Sequence, residues 1–326
     1  MKKLLPISLT VMLILAVALS GCGGGKSSPA NPESSNTTTI YAGIFNTGTT
    51  ASLLKSTDGG NNFAELTSFA AGSAGTIWQI FGSANSIYVA TSKGLAISTD
   101  NGATFNWYLS GDSVRSVYVS GTTIYAGVIA VSSATNRLAI SNDGGKSWTV
   151  SLDSYQINTV HGSGSTICVA TITGLAVSTD SGANFKLYDL AGDTVNSVYV
   201  SGGVIYATTN SGLSISSDNG STFNTKLSGT TLASIAVSGS NVYTTSYNTA
   251  TSSLELLVSH DSGDSFASKT TSDVSISGYP YLIWLSDSTV YVSGSTSGVS
   301  VSYDNGGSFT SVSGLSSLKV TSLFVK

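Results

Sequence analysis

Beyond its first forty residues the chain alternates short apolar runs with turns rich in glycine and hydroxyl side chains. Val114-Arg115-Ser116-Val117-Tyr118-Val119, Ile124-Tyr125-Ala126-Gly127 and Arg137-Leu138-Ala139-Ile140-Ser141 follow one another closely. Their alternation and their β-branched and aromatic residues predict three consecutive strands. A fourth is expected from Trp148 to Leu152, after Asp143-Gly144, a step that supplies the positive φ of a tight hairpin.

That hairpin is one of seven. The pattern Ser-x-Asp-x-Gly-x-x-aromatic occurs at 56–63, 98–105, 141–148, 178–185, 216–223, 259–266 and 302–309, at intervals of 37 to 43 residues. Seven copies in register mark one supersecondary unit repeated seven times. A four-stranded unit has two faces to bury, and radial repetition buries both. The fold class that follows is all-β, a seven-bladed β-propeller of four-stranded antiparallel blades.

The chain ends fit a closed ring. Thr39-Ile40-Tyr41-Ala42-Gly43 matches a second strand, so the first unit lacks an inner one. Val320-Thr321-Ser322-Leu323-Phe324-Val325 matches the inner strand at Val114 and the one beginning at Val195, yet no second strand follows. The C-terminal strand is therefore expected in the first blade, where it removes two open sheet edges.

The N-terminus is different in kind. Met1, Lys2 and Lys3 precede a nearly unbroken apolar stretch from Leu4 to Leu19. A cationic head on a run too short to span a bilayer comfortably reads as an export signal. Leu19-Ser20-Gly21-Cys22 resembles the bacterial lipobox. The resemblance implies a signal over 1–22, with cleavage before Cys22 and a diacylglyceryl group on its thiol. The membrane is then a partner through that anchor. Gly23 stands where an Asp would retain such a protein at the inner membrane. This implies sorting to the outer membrane if the cell has one, and otherwise the outer face of the cytoplasmic membrane. Residues 23–39, mostly Gly, Ser, Asn, Thr and Pro, cannot offset the entropy of ordering and read as a flexible tether. The propeller takes 40–326 and is expected to be monomeric.

The seven boxes resemble the Asp-box, or BNR, repeats of sialidases, xyloglucan-degrading propellers, sortilin-type receptors and a photosystem II assembly factor. These proteins share the hairpin rather than a chemistry, so the resemblance implies fold and not function. Within the boxes, Asp58, Asp100, Asp143, Asp180, Asp218, Asp261 and Asp304 are suited to accept backbone N–H groups of their own turns. The box rings are suited to pack between sheets.

Composition narrows the chemistry. With 13 Lys plus Arg against 17 Asp plus Glu and no basic tract, nucleic acid is not an expected partner. The only arginines are Arg115 and Arg137, too few for the three-arginine clamp of sialidases. Asp112 and Asp193 occupy matching places before two inner strands. They are the weak candidates for a carboxylate pair, beside the plainer reading as turn residues facing water. Two His and one free Cys lack metal-ligand spacing, and no metal or cofactor is expected. Tyr41, Tyr88, Tyr125, Tyr206, Tyr243 and Tyr291 share one second-strand position, and Cys168 replaces them in the fourth unit. Cys168 thus reads as a small buried hydrophobe.

One inner-strand position varies while its neighbours do not. It holds Trp78, Arg115, Asn158, Asn196, Ala233, Tyr281 and Thr321. These residues are expected near the mouth of the central channel. Trp78, Arg115, Asn158, Asn196 and Tyr281 form a candidate binding rim for an envelope protein or a glycan, or else a mixed solvated rim. The expected function is an interaction scaffold, with a carbohydrate-binding or glycoside hydrolase-like propeller as the alternative.

Overall fold

A computed structural model describes residues 38–45, 51–70, 75–133, 135–248, 253–269, 280–294 and 298–326. The export signal, Cys22 and residues 23–37 of the tether lie outside them.

The described strands form seven four-stranded antiparallel sheets. In a ring, they make the seven-bladed propeller expected from the repeats. In the third blade the order from axis to rim is Ser113–Ser120, Thr123–Ile129, Arg137–Ser141 and Thr149–Ser151. The other inner strands are Ile77–Ser83, Ile157–Ser163, Val195–Ser201, Leu232–Ser238 and Pro280–Ser286. The first blade is completed by Val320–Val325, paired with Ile40–Phe45 so that Tyr41 faces Phe324. Closure extends one residue further. Thr39 N–H donates to Lys326 O at 2.8 Å, and Lys326 N–H to Thr39 O at 2.9 Å. Two short helical turns, Thr67–Ala70 and Ser313–Leu315, were not foreseen.

The blades are held by apolar burial and by a polar belt. Seven buried clusters lie between the sheets, and each takes one box ring. Phe63, Phe105, Trp148, Phe185, Phe223, Phe266 and Phe309 are divided among them. Burial of such rings is the main favourable term here. Inner strands leave backbone N–H groups without a strand neighbour, and buried donors need acceptors. The preceding blade supplies them. Ser322 Oγ accepts Ile80 N–H at 2.7 Å, Gln79 Oε1 accepts Val117 N–H at 2.7 Å, and Ser116 Oγ accepts Val160 N–H at 2.9 Å. Thr159 Oγ1 accepts Val198 N–H at 3.1 Å, and Ser234 Oγ accepts Ile283 N–H at 3.3 Å.

The seven box hairpins share one geometry. In the fourth blade Ser178 Oγ donates to Asp180 Oδ1 at 2.7 Å and accepts Gly182 N–H at 2.8 Å. Asp180 Oδ1 also accepts Asn184 N–H at 2.9 Å, while its Oδ2 accepts the Asn184 amide at 2.7 Å. Residue 182 must be glycine: its φ is +85°, and a Cβ would lie 2.9 Å from the ring of Tyr125 in the preceding blade. The Tyr125 hydroxyl donates to Ser181 O at 2.8 Å, which ties one blade to the next blade's box. Hydrogen bonds from the residue four positions on and from the box serine hold Asp58, Asp100, Asp143, Asp180 and Asp218 at about 2. Asp261 and Asp304 are lowered as well, the latter against a desolvation cost.

Candidate functional site

Each inner strand skips a beat at its second residue. Pairing passes from Ile77 to Gln79, Val114 to Ser116, Ile157 to Thr159, Val195 to Ser197 and Pro280 to Leu282. Trp78, Arg115, Asn158, Asn196 and Tyr281 are thereby left out of the ladder. Thr321 is skipped likewise, and the irregularity around Ala233 runs from Leu232 to Ile235. A bulge frees its extra residue from pairing and re-aims the side chain. This explains why the units differ here and agree on either side. Tyr281 is placed by register alone; its side chain lies outside the described residues.

Most of the freed side chains are tied to the following blade. Asn158 Nδ2 donates to Val195 O at 2.8 Å, and Asn196 Nδ2 to Leu232 O at 2.8 Å. Trp78 Nε1 donates to Ser113 Oγ at 3.2 Å. Thr321 Oγ1 donates within its own blade, to Gly43 O at 3.2 Å. Arg115 differs from all of these. Its guanidinium carbon stands 4.9 Å from the centroid of the Trp78 ring, a cation–π contact. Among the described residues it has neither a hydrogen bond nor an ion pair.

The two candidate carboxylates are occupied. Asp112 is 4% exposed, so it does not face water as a plain turn residue would. Its Oδ1 accepts the N–H groups of Val131, Ser132 and Ser133 at 3.0, 2.9 and 2.9 Å. Its Oδ2 pairs with Arg137 Nη2 at 3.0 Å. Desolvation pushes this carboxyl up, but the bonds from Ser133, Val131 and Ser132 outweigh it and hold it well below the usual range. Arg137 is equally committed, donating also to Ser133 Oγ and Thr135 O. Asp193 pins its own blade more lightly, accepting Thr209 Oγ1 at 3.2 Å and Ser211 Oγ at 3.0 Å. Each thus fastens the loop between second and third strands of its blade.

His161 is a residue whose place the sequence did not reveal. It stacks on Tyr199 with centroids 4.0 Å apart and lies 5.3 Å from Tyr118, which lies 5.5 Å from Phe81. The four rings come from equivalent positions of consecutive inner strands and form an arc along the channel wall. His161 Nδ1 accepts Val200 N–H at 3.0 Å, and desolvation lowers the imidazole to about 4. It is therefore neutral near pH 7. Across the ladder it faces Cys168. That thiol is fully buried and desolvation pushes it upward, away from a nucleophilic thiolate. Among the described residues, no group of three or more His, Cys, Asp or Glu side chains could hold a metal ion. No helix among them is long and apolar enough to cross a membrane.

No protein-family model matches the chain, and no curated protein matches it in sequence. Solved structures do match in fold. YCF48 bound to D1 peptide superposes with a TM-score of 0.58 at 15% identity, over 79% of this chain and 90% of that one. The GH74 xyloglucanase of Xanthomonas campestris gives 0.62 at 16% identity, over 82% of this chain and 53% of the enzyme. The extracellular domain of the putative one component system BT4673 of B. thetaiotaomicron gives 0.57 at 12% identity, over 79% of this chain and 37% of that one. The chain thus spans about half of the xyloglucanase and over a third of the BT4673 domain. At these identities the likeness is one of fold, a propeller of the type built by photosystem II assembly factors and GH74 enzymes.

Proposed function

We propose that this protein is an exported, lipid-anchored interaction scaffold that holds a protein of the cell envelope at its channel mouth. The observation that carries the reading is the polarity of the ring. Thr38 O accepts Gly59 N–H of the first box at 3.2 Å, so the chain enters on the hairpin face. The bulges holding Trp78 and Arg115 are at the other ends of the inner strands, among the long loops. An anchor on Cys22 would leave that face pointing away from the membrane. The fold shared with YCF48, there bound to a D1 peptide, supports a protein as the partner. Asp112 supports a role other than acid–base catalysis, because its carboxylate is already filled by Arg137 and three backbone donors.

A second reading is a carbohydrate-binding propeller. The Trp78 ring at the mouth and the fold shared with the GH74 xyloglucanase favour it. Cross-linking of the anchored protein in native membranes separates the two. The scaffold reading expects one envelope protein recovered repeatedly and lost with Arg115→Gln. A glycan-array signal that falls with Trp78→Ala, without such a partner, would replace it with the second reading. The anchor is tested separately: Cys22→Ala should abolish radiolabelled palmitate incorporation and release the protein from the membrane fraction.

A further inference from the structure

The two arginines of the chain are used in opposite ways. Arg137 is saturated by Asp112, Ser133 and Thr135. Arg115, half-buried on its bulge, is steadied by the face of Trp78 and keeps its fork of N–H donors without an acceptor among the described residues. A guanidinium stacked on a ring is already oriented, so little freedom is lost when it meets a planar anion. The Trp78 indole is itself fixed through Ser113, the neighbour of Asp112.

Apolar groups stand on both sides of this cation. On one side is the Trp78 ring. On the other, Asp112 lashes down the loop that bears Val131, which is 71% exposed. Around the same face in the first blade, Phe45 is 42% exposed and lies 5.2 Å from Lys319 Nζ. The charge on this sector is positive. Arg115, Lys319 and Lys93 are present, Asp112 is neutralised by Arg137, and Asp153 is hydrogen-bonded by Thr135.

We propose that the loop face over the first three blades is a docking surface for an extended peptide segment in which an internal Asp or Glu is flanked by apolar side chains. Resting on the scaffold reading, this names the partner's chemistry. The carboxylate meets Arg115 in a two-point contact, and the flanking side chains cover Trp78 and Val131. An internal acid fits better than a chain terminus because apolar surface lies on both sides of the guanidinium.

The test uses the mature chain and an array of N-acetylated, C-amidated peptides of apolar–Glu–apolar pattern, each beside its Glu→Gln counterpart. The inference expects glutamate peptides to bind, and about a tenfold or greater loss from the Gln substitution, as for a hydrogen bond to a charged group. Arg115→Gln should abolish the discrimination between Glu and Gln peptides, Trp78→Ala should weaken both, and Val150→Ser on the outer rim should change neither. Thermal melting of Arg115→Gln shows that the fold is intact. Equal binding of Glu and Gln peptides, or Glu selectivity surviving Arg115→Gln, overturns the inference and leaves the scaffold reading standing. Binding of no peptide by the folded protein overturns the inference too. Recovery of no envelope protein in the cross-linking experiment as well would remove the scaffold reading.

Discussion

The hairpin rim and the channel mouth are built from the same seven units and obey different rules. At the rim every copy spends its polar groups on itself. Ser56, Asp58 and Asn62 in the first blade make the same set of bonds as Ser302, Asp304 and Ser308 in the seventh. At the mouth one backbone irregularity recurs, yet its side chains range from Trp78 through Arg115 to Ala233. Where the side chain completes a turn, its chemistry is fixed by geometry. Where the ladder releases it, nothing in the blade dictates what it should be.

The largest expected effect lies outside both regions, at the seam that lets either exist. Removing Val320–Val325 and Lys326 exposes the inner edge of the first blade and the apolar faces around Ile40 and Leu323. Loss of the cooperative thermal transition, together with rapid cleavage in limited proteolysis, is expected. An unchanged melt would refute ring closure as the source of stability.

Asp112→Ala tests the mouth's foundation. It strands Arg137 and three backbone donors in a buried setting, which costs about 3 kcal/mol or more. A lowered melting temperature and early proteolysis within 128–136 should follow, whereas a water-facing turn residue would give neither.

Acid titration probes the rim. The box carboxylates have folded values below their unfolded ones, and five of them stand at about 2. Their stabilisation is thus complete above the ordinary Asp value and fades as pH falls towards about 2. His161 acts in the same direction over a higher window. Its folded value of about 4 lies below the ordinary 6.5, so the unfolded chain gains the proton first as pH drops between them. Urea midpoints should decline from about pH 6.5 to 4 through His161, then more steeply below. His161→Phe should flatten the upper part alone.

The smallest effect on folding sharpens the comparison most. Arg115→Gln should change stability by no more than about 0.5 kcal/mol, as expected for a surface position without a structural partner. Ser178→Ala at the rim should cost about 1–3 kcal/mol by leaving Gly182 N–H without its acceptor. Reversed magnitudes in denaturant melts would show that the mouth is structural and the rim dispensable.

Fold and closure could be read from the chain because the box is local: its serine, aspartate and glycine lie within five positions and repeat without change. Inner strands were visible through their apolar alternation. The bulge was not, since one skipped residue leaves that alternation nearly intact; its only trace was the disagreement among units at Trp78 and its equivalents. The partnership of Asp112 with Arg137 spans 25 residues and depends on how a loop folds over, which no spacing encodes. His161 was hidden for a similar reason. Its stacking partners Tyr118 and Tyr199 belong to neighbouring blades and meet it only when the ring has formed.

The recurring bulge gives this architecture a separable vocabulary. Seven letters around one opening can be rewritten singly, each on a scaffold whose grammar is kept elsewhere. A lineage starting from such a ring could acquire a new correspondent by changing a few of those letters, without first learning to fold again.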